Sequence, residues 1–258
     1  MNTILELHPV RLFRMIEAGI AARKIVLFDI VDSTNLIGSR IVRRACGSGT
    51  LLIADSQQEG RGRKNRTWFS ASGKSLAFSL IVEAVDNQPE LNILMAYSIV
   101  KALDRFVEGS MIKWPNDVYL GGRKAAGILS EVSGNRVVIG VGMNINETEE
   151  DFPLEIRDLA TSLRIAKGSV LDRGVILSSV VNAFDRNLVE WKKRGLRSFR
   201  DRLMNRLLYL GSMVVLSNGG RSAQGRYVDI TDEGRIVLEI NGERNSFPSG
   251  DLSLKEAE

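Results

Sequence analysis

A mixed α/β core followed by a small all-β unit is what this sequence predicts, and three observations carry the prediction. Across residues 24–206, short apolar runs of strand type alternate with longer stripes at helical spacing. Beyond Arg206 the composition changes to three strand-like runs, at 212–217, 225–230 and 235–240. Turn signals follow each of them: Asn218-Gly219-Gly220, Asp232-Glu233-Gly234 and Asn241-Gly242. The length of 258 residues leaves room for one large domain and one small one. The expected divisions are an N-terminal arm at 1–23, a core at 24–206 and a β unit at 207–258.

The elements follow in chain order. The first 21 residues mix apolar side chains with Glu6, His8, Arg11, Arg14 and Glu17 and lack the basic–apolar–small order of a signal peptide. They read as a short helix or arm. A β-like run at 24–29 leads into the polar turn Asp32-Ser33-Thr34-Asn35. Further strands are expected at 50–54 and at 75–82, where Leu76, Phe78, Leu80 and Val82 share a face. Pro89-Glu90 suits a helix start, and Leu91, Leu94, Met95, Ala102, Leu103 and Phe106 continue at helical spacing. Strands return at 111–114 and 137–143. Ile176, Leu177, Val180, Val181, Phe184 and Leu188 form a second helical stripe, which like the first is core packing.

Composition excludes several chemistries. One cysteine, Cys46, makes neither an internal disulfide nor a Cys-rich zinc site and fits a reducing cytoplasm. The single histidine, His8, lies in the arm, and no G-x-S-x-G elbow is present, so a hydrolytic triad has no support. No apolar run has membrane-spanning length. A formal charge of +4 is compatible with anionic ligands.

The densest chemical signal is Gly60-Arg61-Gly62-Arg63-Lys64-Asn65-Arg66-Thr67-Trp68. Glycine permits close backbone approach to a ligand, and arginine offers planar donors to carboxylate or phosphate. Trp68 would wall a ring. The same loop also fits a solvated basic loop or a nucleic-acid patch. Gly73-Lys74-Ser75 resembles the end of a Walker A motif, but Trp68 stands where that motif needs its first glycine. Gly140-x-Gly142 fails as a dinucleotide fingerprint because Ile145 occupies the third glycine position. In Lys113-Trp114-Pro115-Asn116-Asp117 a proline turn is expected to hold Asn116 and Asp117 at its tip. There they would cap the backbone, or face a hydrated Mg²⁺ beside phosphates. Lys124 follows, before a strand entry rich in small residues.

In order along the chain, these segments resemble the biotin–protein ligases. Asp32-Ser33-Thr34-Asn35 matches that family's early D-S-T-N, and Gln57 through Trp68 its Q-x-x-G-R-G-R-x-x-R-x-W loop. Lys113 to Asp117 with Lys124-x-x-Gly127-Ile128-Leu129-x-Glu131 matches its K-W-P-N-D…K-x-x-G-I-L-x-E block. Gly140-x-Gly142-x-Asn144-Ile145-Asn146 matches its G-x-G-x-N-V-N strand end. The resemblance implies an α+β fold: a core similar to class II aminoacyl-tRNA synthetases, with a mixed sheet, then a small SH3-like β-barrel. It implies ATP-dependent activation of biotin to biotinyl-5′-AMP and transfer to a lysine of a biotin carboxyl carrier protein or domain. Carried over residue by residue, the biotin contacts fall on Ser33, Thr34, Asn35, Gln57, Arg61, Gly62, Arg63 and Lys124. The ATP side falls on Trp68, Asn116, Asp117 and Asn144, with Mg²⁺ near Asn116 and Asp117 as part of the ATP complex rather than held directly. The catalytic set is Lys124, Arg63 and Asp117.

Two departures from the pattern stand out. Ala71 follows Ser70 where the family usually has proline. About 23 residues precede the core, too few for the helix-turn-helix that some members carry, so the expectation is a ligase that does not bind DNA, as a homodimer. The loop at 60–66 is expected to act as a lid over a water-sensitive mixed anhydride. Three alternatives are open at this point: a lipoate–protein ligase, a basic nucleic-acid-binding protein, and a biotin sensor without catalysis.

Overall fold

The computed structural model describes residues 7–19, 21–42, 47–83 and 88–255, with the side chains of 88 and 89 left out. Cys46, Glu6 and the Pro89 side chain therefore lie outside the described residues. The core is a seven-stranded mixed sheet in the order β1-β2-β3-β7-β6-β5-β4. Its strands are β1 (Lys24–Val31), β2 (Thr50–Gln57), β3 (Leu76–Glu83), β4 (Met111–Lys113), β5 (Asp117–Leu120), β6 (Arg123–Ser133) and β7 (Arg136–Met143). Only β1 and β2 run parallel; the other neighbours are antiparallel.

Helices follow as α1 (Pro9–Met15), α2 (Thr34–Val42), α3 (Gln88–Leu103), α4 (Leu154–Arg157), α5 (Leu163–Lys167), α6 (Arg173–Arg194) and α7 (Arg200–Met204). Strand β3 is buried along all but its last residue, because helices cover both faces of the sheet centre: α2 contacts β2, β3, β6 and β7, while α3 lies on β4 to β7 with α6 behind it. Gly38 lets α2 approach closely, since a Cβ there would stand 2.7 Å from Val138 Cγ1.

The second sheet is entirely antiparallel, in the order β11-β10-β9-β8-β12. Its strands are β8 (Met213–Asn218), β9 (Arg221–Ile230), β10 (Ile236–Ile240), β11 (Glu243–Phe247) and β12 (Asp251–Leu254). The expected small barrel is thus a five-stranded sheet whose edge strands β11 and β12 have no register with each other among the described residues. Its apolar face joins the main core: Val214, Tyr227, Ile236 and Leu252 belong to the same buried cluster as Ile112 and Trp114. Residues 206–208 cross between the sheets by pairing with β4, through Ile112 N to Arg206 O at 2.7 Å and Leu208 N to Ile112 O at 2.8 Å. Trp114, 1% exposed, donates its indole N–H to Gly234 O at 2.9 Å.

The arm is a docked element. His8 caps α1 through Nδ1, which accepts from Val10 N, and Arg11 makes a two-point ion pair with Asp172. Asn182 and Asp185 of α6 accept the backbone N–H groups of Glu17, Gly19 and Ala21.

Four expectations need correction. The stretch at 32–35 is not a free turn, because Thr34 opens α2. The first long helix ends at Leu103, and Phe106 lies in the turn after it. Asp117 is not at a turn tip; it begins β5, a strand that the expected elements lacked. Two strands, the polar β11 and the four-residue β12, lie beyond the three expected in the tail.

Two outcomes are expected from this packing. Trp114→Phe deletes the donor to Gly234 O and leaves a void between the sheets, so urea unfolding should show a loss of about 2–3 kcal/mol. Glu147 is fully buried, with the Ser75 hydroxyl against Oε1 and no partner for Oε2. Burial raises its pKa above the ordinary glutamate value. The folded state therefore holds this proton more tightly than the unfolded chain, and stability falls as pH rises from the ordinary glutamate range through the folded value. Glu147→Gln should remove that slope. Its urea midpoint should gain on wild type as pH rises through the window and then hold a constant lead; a lead independent of pH would refute this.

Candidate active site

The basic loop leaves β2 and returns as a narrow hairpin. Arg61 bridges Thr67, Gly62 N donates to Arg66 O at 2.7 Å, and Trp68 N donates to Gly60 O at 2.8 Å. At its tip Lys64 (φ 54°) and Asn65 (φ 59°) are both left-handed. Asparagine tolerates that region, whereas for lysine it costs about 1–2 kcal/mol. A conformation of this kind persists where contacts from outside the loop hold it.

Those contacts are charged. Arg61 pairs with Glu131 of β6 at 3.3 Å. Arg63 Nη1 donates to Asn116 Oδ1 at 2.9 Å and reaches Gly250 O at 3.4 Å. Lys64 and Arg66 pair with Asp251 of β12 at 3.1 and 2.6 Å. Partial burial alone would raise the Asp251 carboxyl, but the Lys64 hydrogen bond and the Arg66 charge outweigh it and hold its pKa below the usual aspartate value.

Behind the loop lies a polar cavity lined by Ser33, Thr34, Asn35, Gln57, Arg61, Gly62, Arg63, Trp68, Asn116, Asp117 and Lys124. Its floor is a hydrogen-bonded network. Thr34 donates its backbone N–H to Gln57 Oε1 at 2.9 Å, and Ser79 Oγ lies 2.7 Å from both Thr34 Oγ1 and Asn35 Oδ1. Asn35 Nδ2 donates to Leu129 O at 3.0 Å and to Glu131 Oε2 at 2.9 Å. The glycine pattern of β7 has its reason here. A Cβ on Gly140 would fall 2.2 Å from Asn35 Oδ1, and one on Gly142 would fall 2.3 Å from the Trp68 indole.

Trp68 stands between this cavity and a second, larger one. Its buried Nε1 has no hydrogen-bond partner. Lys124 Nζ sits 5.5 Å from the Trp68 ring centroid and 2.8 Å from Asp117 Oδ1. The second cavity shares Arg63, Asn116, Asp117 and Lys124 and adds Asn144. Apolar side chains form its far wall: Phe69, Phe152, Ile156, Leu159 and Ala160, with Phe69 and Phe152 stacked obliquely at 6.0 Å. Tyr119 and Tyr209 complete it beside Lys113, whose Nζ donates to Tyr119 OH at 3.2 Å. Burial raises the Tyr119 phenol above its ordinary pKa, and the Asp117 charge adds to that.

All twelve residues expected at the site thus line one or both cavities. Like Asn35, Asn116 and Asn144 are tied to the scaffold. Asn116 donates to Ile128 O at 2.8 Å while accepting from Arg63, so its amide is engaged at both ends. Asn144 donates to Thr161 O at 2.9 Å and anchors the segment that carries the apolar wall. The donor set does not fit a metal held by the protein: Asp117 is paired with Lys124, and no cluster of three acidic, histidine or cysteine groups occurs among the described residues.

The segment after Trp68 is structural. Lys74 pairs with Asp151 at 2.5 Å, so no phosphate loop is formed. Ala71 donates its N–H to Ser75 Oγ at 2.7 Å, a bond that a proline there would lack. Arg173, 1% exposed, pairs with Asp55, which also accepts from Ser72 and Gly73.

Sequence reasoning missed the apolar wall, Ser79, Tyr119, Tyr209, and Gly250 with Asp251. Asp151-Phe152-Pro153 is a polar-to-aromatic stop that marks a loop but not a ligand wall. Glu131 was legible only as a motif letter.

Comparisons with known proteins match both parts of the chain. Residues 27–145 match the model of the Biotin/lipoate A/B protein ligase family, and residues 209–255 match that of the Biotin protein ligase C terminal domain. The Biotin--[acetyl-CoA-carboxylase] ligase of Mycobacterium tuberculosis is 30% identical over 252 residues, covering 93% of this chain and 92% of that protein. The Bifunctional ligase/repressor BirA of Bacillus subtilis is 29% identical over 248 residues, covering 93% of this chain and 76% of that protein. A solved structure of the biotin protein ligase from Aquifex aeolicus, in complex with biotin and ATP, superposes with a TM-score of 0.82 at 31% identity, covering 91% of this chain and all of that one. The match extends over the core sheet, the basic loop and the small sheet, and this chain belongs to the biotin protein ligase family.

Proposed function

We propose that this chain activates biotin with ATP and transfers it to a lysine of a biotin carboxyl carrier domain. The observation that carries the reading is the shared wall. Two cavities, one polar and one with an apolar far side, meet at Lys124, Arg63 and Trp68. A carboxylate in the first and a nucleotide phosphate in the second would meet between these two cations. The relatives' printed names and the Aquifex aeolicus complex with biotin and ATP support the choice of ligands.

In the polar cavity the ureido ring would meet the Ser33, Thr34, Asn35 and Gln57 network, with Arg61 and Gly62 closing the loop side. In the second, the base would lie against Phe152, Ile156 and Leu159, and its sugar and phosphates toward Asn116, Asp117 and Asn144. The Trp68 indole N–H is available to a ligand oxygen. Magnesium would arrive on the ATP phosphates as part of that substrate.

The chemistry has two steps. The biotin carboxylate, ionised at neutral pH, attacks the α-phosphorus; an O–P bond forms and pyrophosphate leaves. No base is needed, and the difficulty is anion meeting polyanion, which Lys124 and Arg63 relieve by stabilising the charge that develops on the α-phosphate. A neutral acceptor amine then attacks the acyl carbon; a C–N bond forms and AMP leaves. The amine proton must go elsewhere, and we assign it to Asp117, the carboxylate beside Lys124 at the shared wall.

Of the two activities in the Bacillus name, the ligase is the one we propose; DNA binding is not part of the reading. A homodimer through the core sheet is also part of the proposal. Strand β1 supports it, since it lies at the sheet edge and exposes Val26 and Ile30. No described helix is long and apolar enough to cross a membrane. A cytoplasmic setting is our reading from the single cysteine.

The decisive experiment is intact mass of a biotin carboxyl carrier domain after incubation with the protein, biotin and MgATP. One biotinyl addition is expected, and an unchanged mass overturns the proposal. Lys124→Ala should slow biotin-dependent pyrophosphate exchange by about 10²–10³-fold while far-UV dichroism is unchanged. Exchange near the wild-type rate would remove Lys124 from the activation step.

A further inference from the structure

Among the described residues, the small sheet bonds to the basic loop through Gly250 and Asp251, and that contact is chemically specific. Gly250 and Asp251 lie at the start of β12. The Gly250 carbonyl accepts from both terminal nitrogens of Arg63 at 3.4 Å, and the Asp251 carboxylate takes Lys64 at 3.1 Å and Arg66 at 2.6 Å. The three cations lie within four residues at one strained hairpin tip, whose Lys64 has left-handed backbone. Within the hairpin itself, the described backbone bonds join Gly60 to Trp68 and Gly62 to Arg66 at the neck, and Arg66 N to Arg63 O at 3.2 Å across the tip. Bonds of this kind, internal to the hairpin, do not select the direction in which the tip leans over the site. The ties to groups outside the hairpin do: Arg63 is drawn to Asn116 of the core, and Gly250 and Asp251 draw the tip across the mouth of both cavities, each of which Asp251 also lines.

We propose that Asp251 is a positioning residue that latches the basic loop shut, so that the small sheet sets how long the loop stays over the site. The proposal deepens the ligase reading and rests on it for its consequence, which is retention of the acyl adenylate. It does not rest on it for the latch itself. Strand β12 is held by pairing with β8 and by Leu252 in the shared core, so the carboxylate is presented from a rigid element. Its two partners are half-exposed. Each such pair is weak, and together they shift the open population of the loop by about five- to tenfold.

The test is hydrogen exchange of the ligand-free protein, read at the amides of Gly62 and Trp68, which close the hairpin neck. Asp251→Asn should speed exchange there about five- to tenfold and leave strand β3 unchanged. Asp251→Glu should restore most of the protection. The Lys64→Gln/Arg66→Gln double variant, altered on the other side of the same contact, should reproduce the loosening without touching β12. Added sodium chloride should speed exchange in wild type and have little effect in Asp251→Asn, because the pairs are screened. With biotin and MgATP, Asp251→Asn should also release adenylate into solution faster than wild type. Loop exchange equal to wild type in both Asp251→Asn and the double variant overturns the latch. If Asp251→Asn instead speeds exchange throughout the small sheet, the double variant decides the matter alone. A loosened loop in a protein whose wild type forms no adenylate would leave the latch standing and refute the ligase reading.

Discussion

The site depends on a patch of sheet from which side chains have been removed. At Gly127, Gly140 and Gly142, neighbouring strands β6 and β7 present bare backbone toward α2 and the basic loop. Asn35 and the Trp68 indole lie directly on that surface, nearer than any Cβ would allow. Once Asn35 sits on Gly140, it reaches Leu129 O and Glu131, and through Glu131 it is coupled to Arg61 in the loop. Once Trp68 sits on Gly142 and Gly127, it divides the space into two cavities and gives Lys124 an aromatic face to lie against. The rest of the active-site geometry follows from these close approaches.

The charges around that surface are largely paired within the protein, with Arg63 held by neutral acceptors. Lys124 rests on Asp117, Arg61 on Glu131, and Lys64 and Arg66 on Asp251. A cluster of unpaired cations this dense would repel itself and push the loop away from the sheet. Pairing keeps it in place at small energetic expense, since partly exposed pairs contribute no more than about 1 kcal/mol each. The same weakness makes them exchangeable. A phosphate arriving beside Lys124 carries more charge than the single Asp117 carboxylate and competes with it for the ammonium. The loop cations are therefore preorganised without being locked.

Much of this was legible in the chain itself, for a physical reason. Residues 57–68, 113–117 and 140–146 combine charge, glycine and aromatic rings in arrangements that ordinary core packing does not require. Their elements are strand ends and tight loops, where local chemistry dictates conformation. The main strands and the two long helices were also visible, because their apolar periodicity matches what the core buries. Strand β5 was hidden because its four residues follow a proline turn that looks like punctuation. The polar stretch at 32–35 read as a turn because helix α2 begins in the middle of it. Strand β11, Glu243–Phe247, is polar up to its last residue and carries no alternation to detect. The apolar wall of the second cavity was illegible for the opposite reason. Phe152, Ile156 and Leu159 look like ordinary core residues; the backbone of Lys124, bonded at Leu159 and Thr161, and the Asn144 amide at Thr161 O turn their segment toward the site.

Asn116 shows how the core and the small sheet come to act on one site. As a surface cap it would have presented an oxygen to a ligand. Instead it is buried, with its amide donating to Ile128 O and accepting from Arg63. Two residues earlier in the same turn, Trp114 donates to Gly234 of the small sheet. The turn therefore fixes three things at once: the strand β6 that carries Lys124, the guanidinium of Arg63, and the position of the small sheet whose Gly250 carbonyl meets that guanidinium from the other side. Moving the small sheet relative to the core would strain both ends of this chain of contacts. The two sheets share one buried cluster as well, so the cheaper motion is that of the hairpin tip, which is bound to the rest through exposed ion pairs. In the proposed latch, opening and closing of this site is accordingly a property of the loop, with the relative placement of the two sheets as its frame.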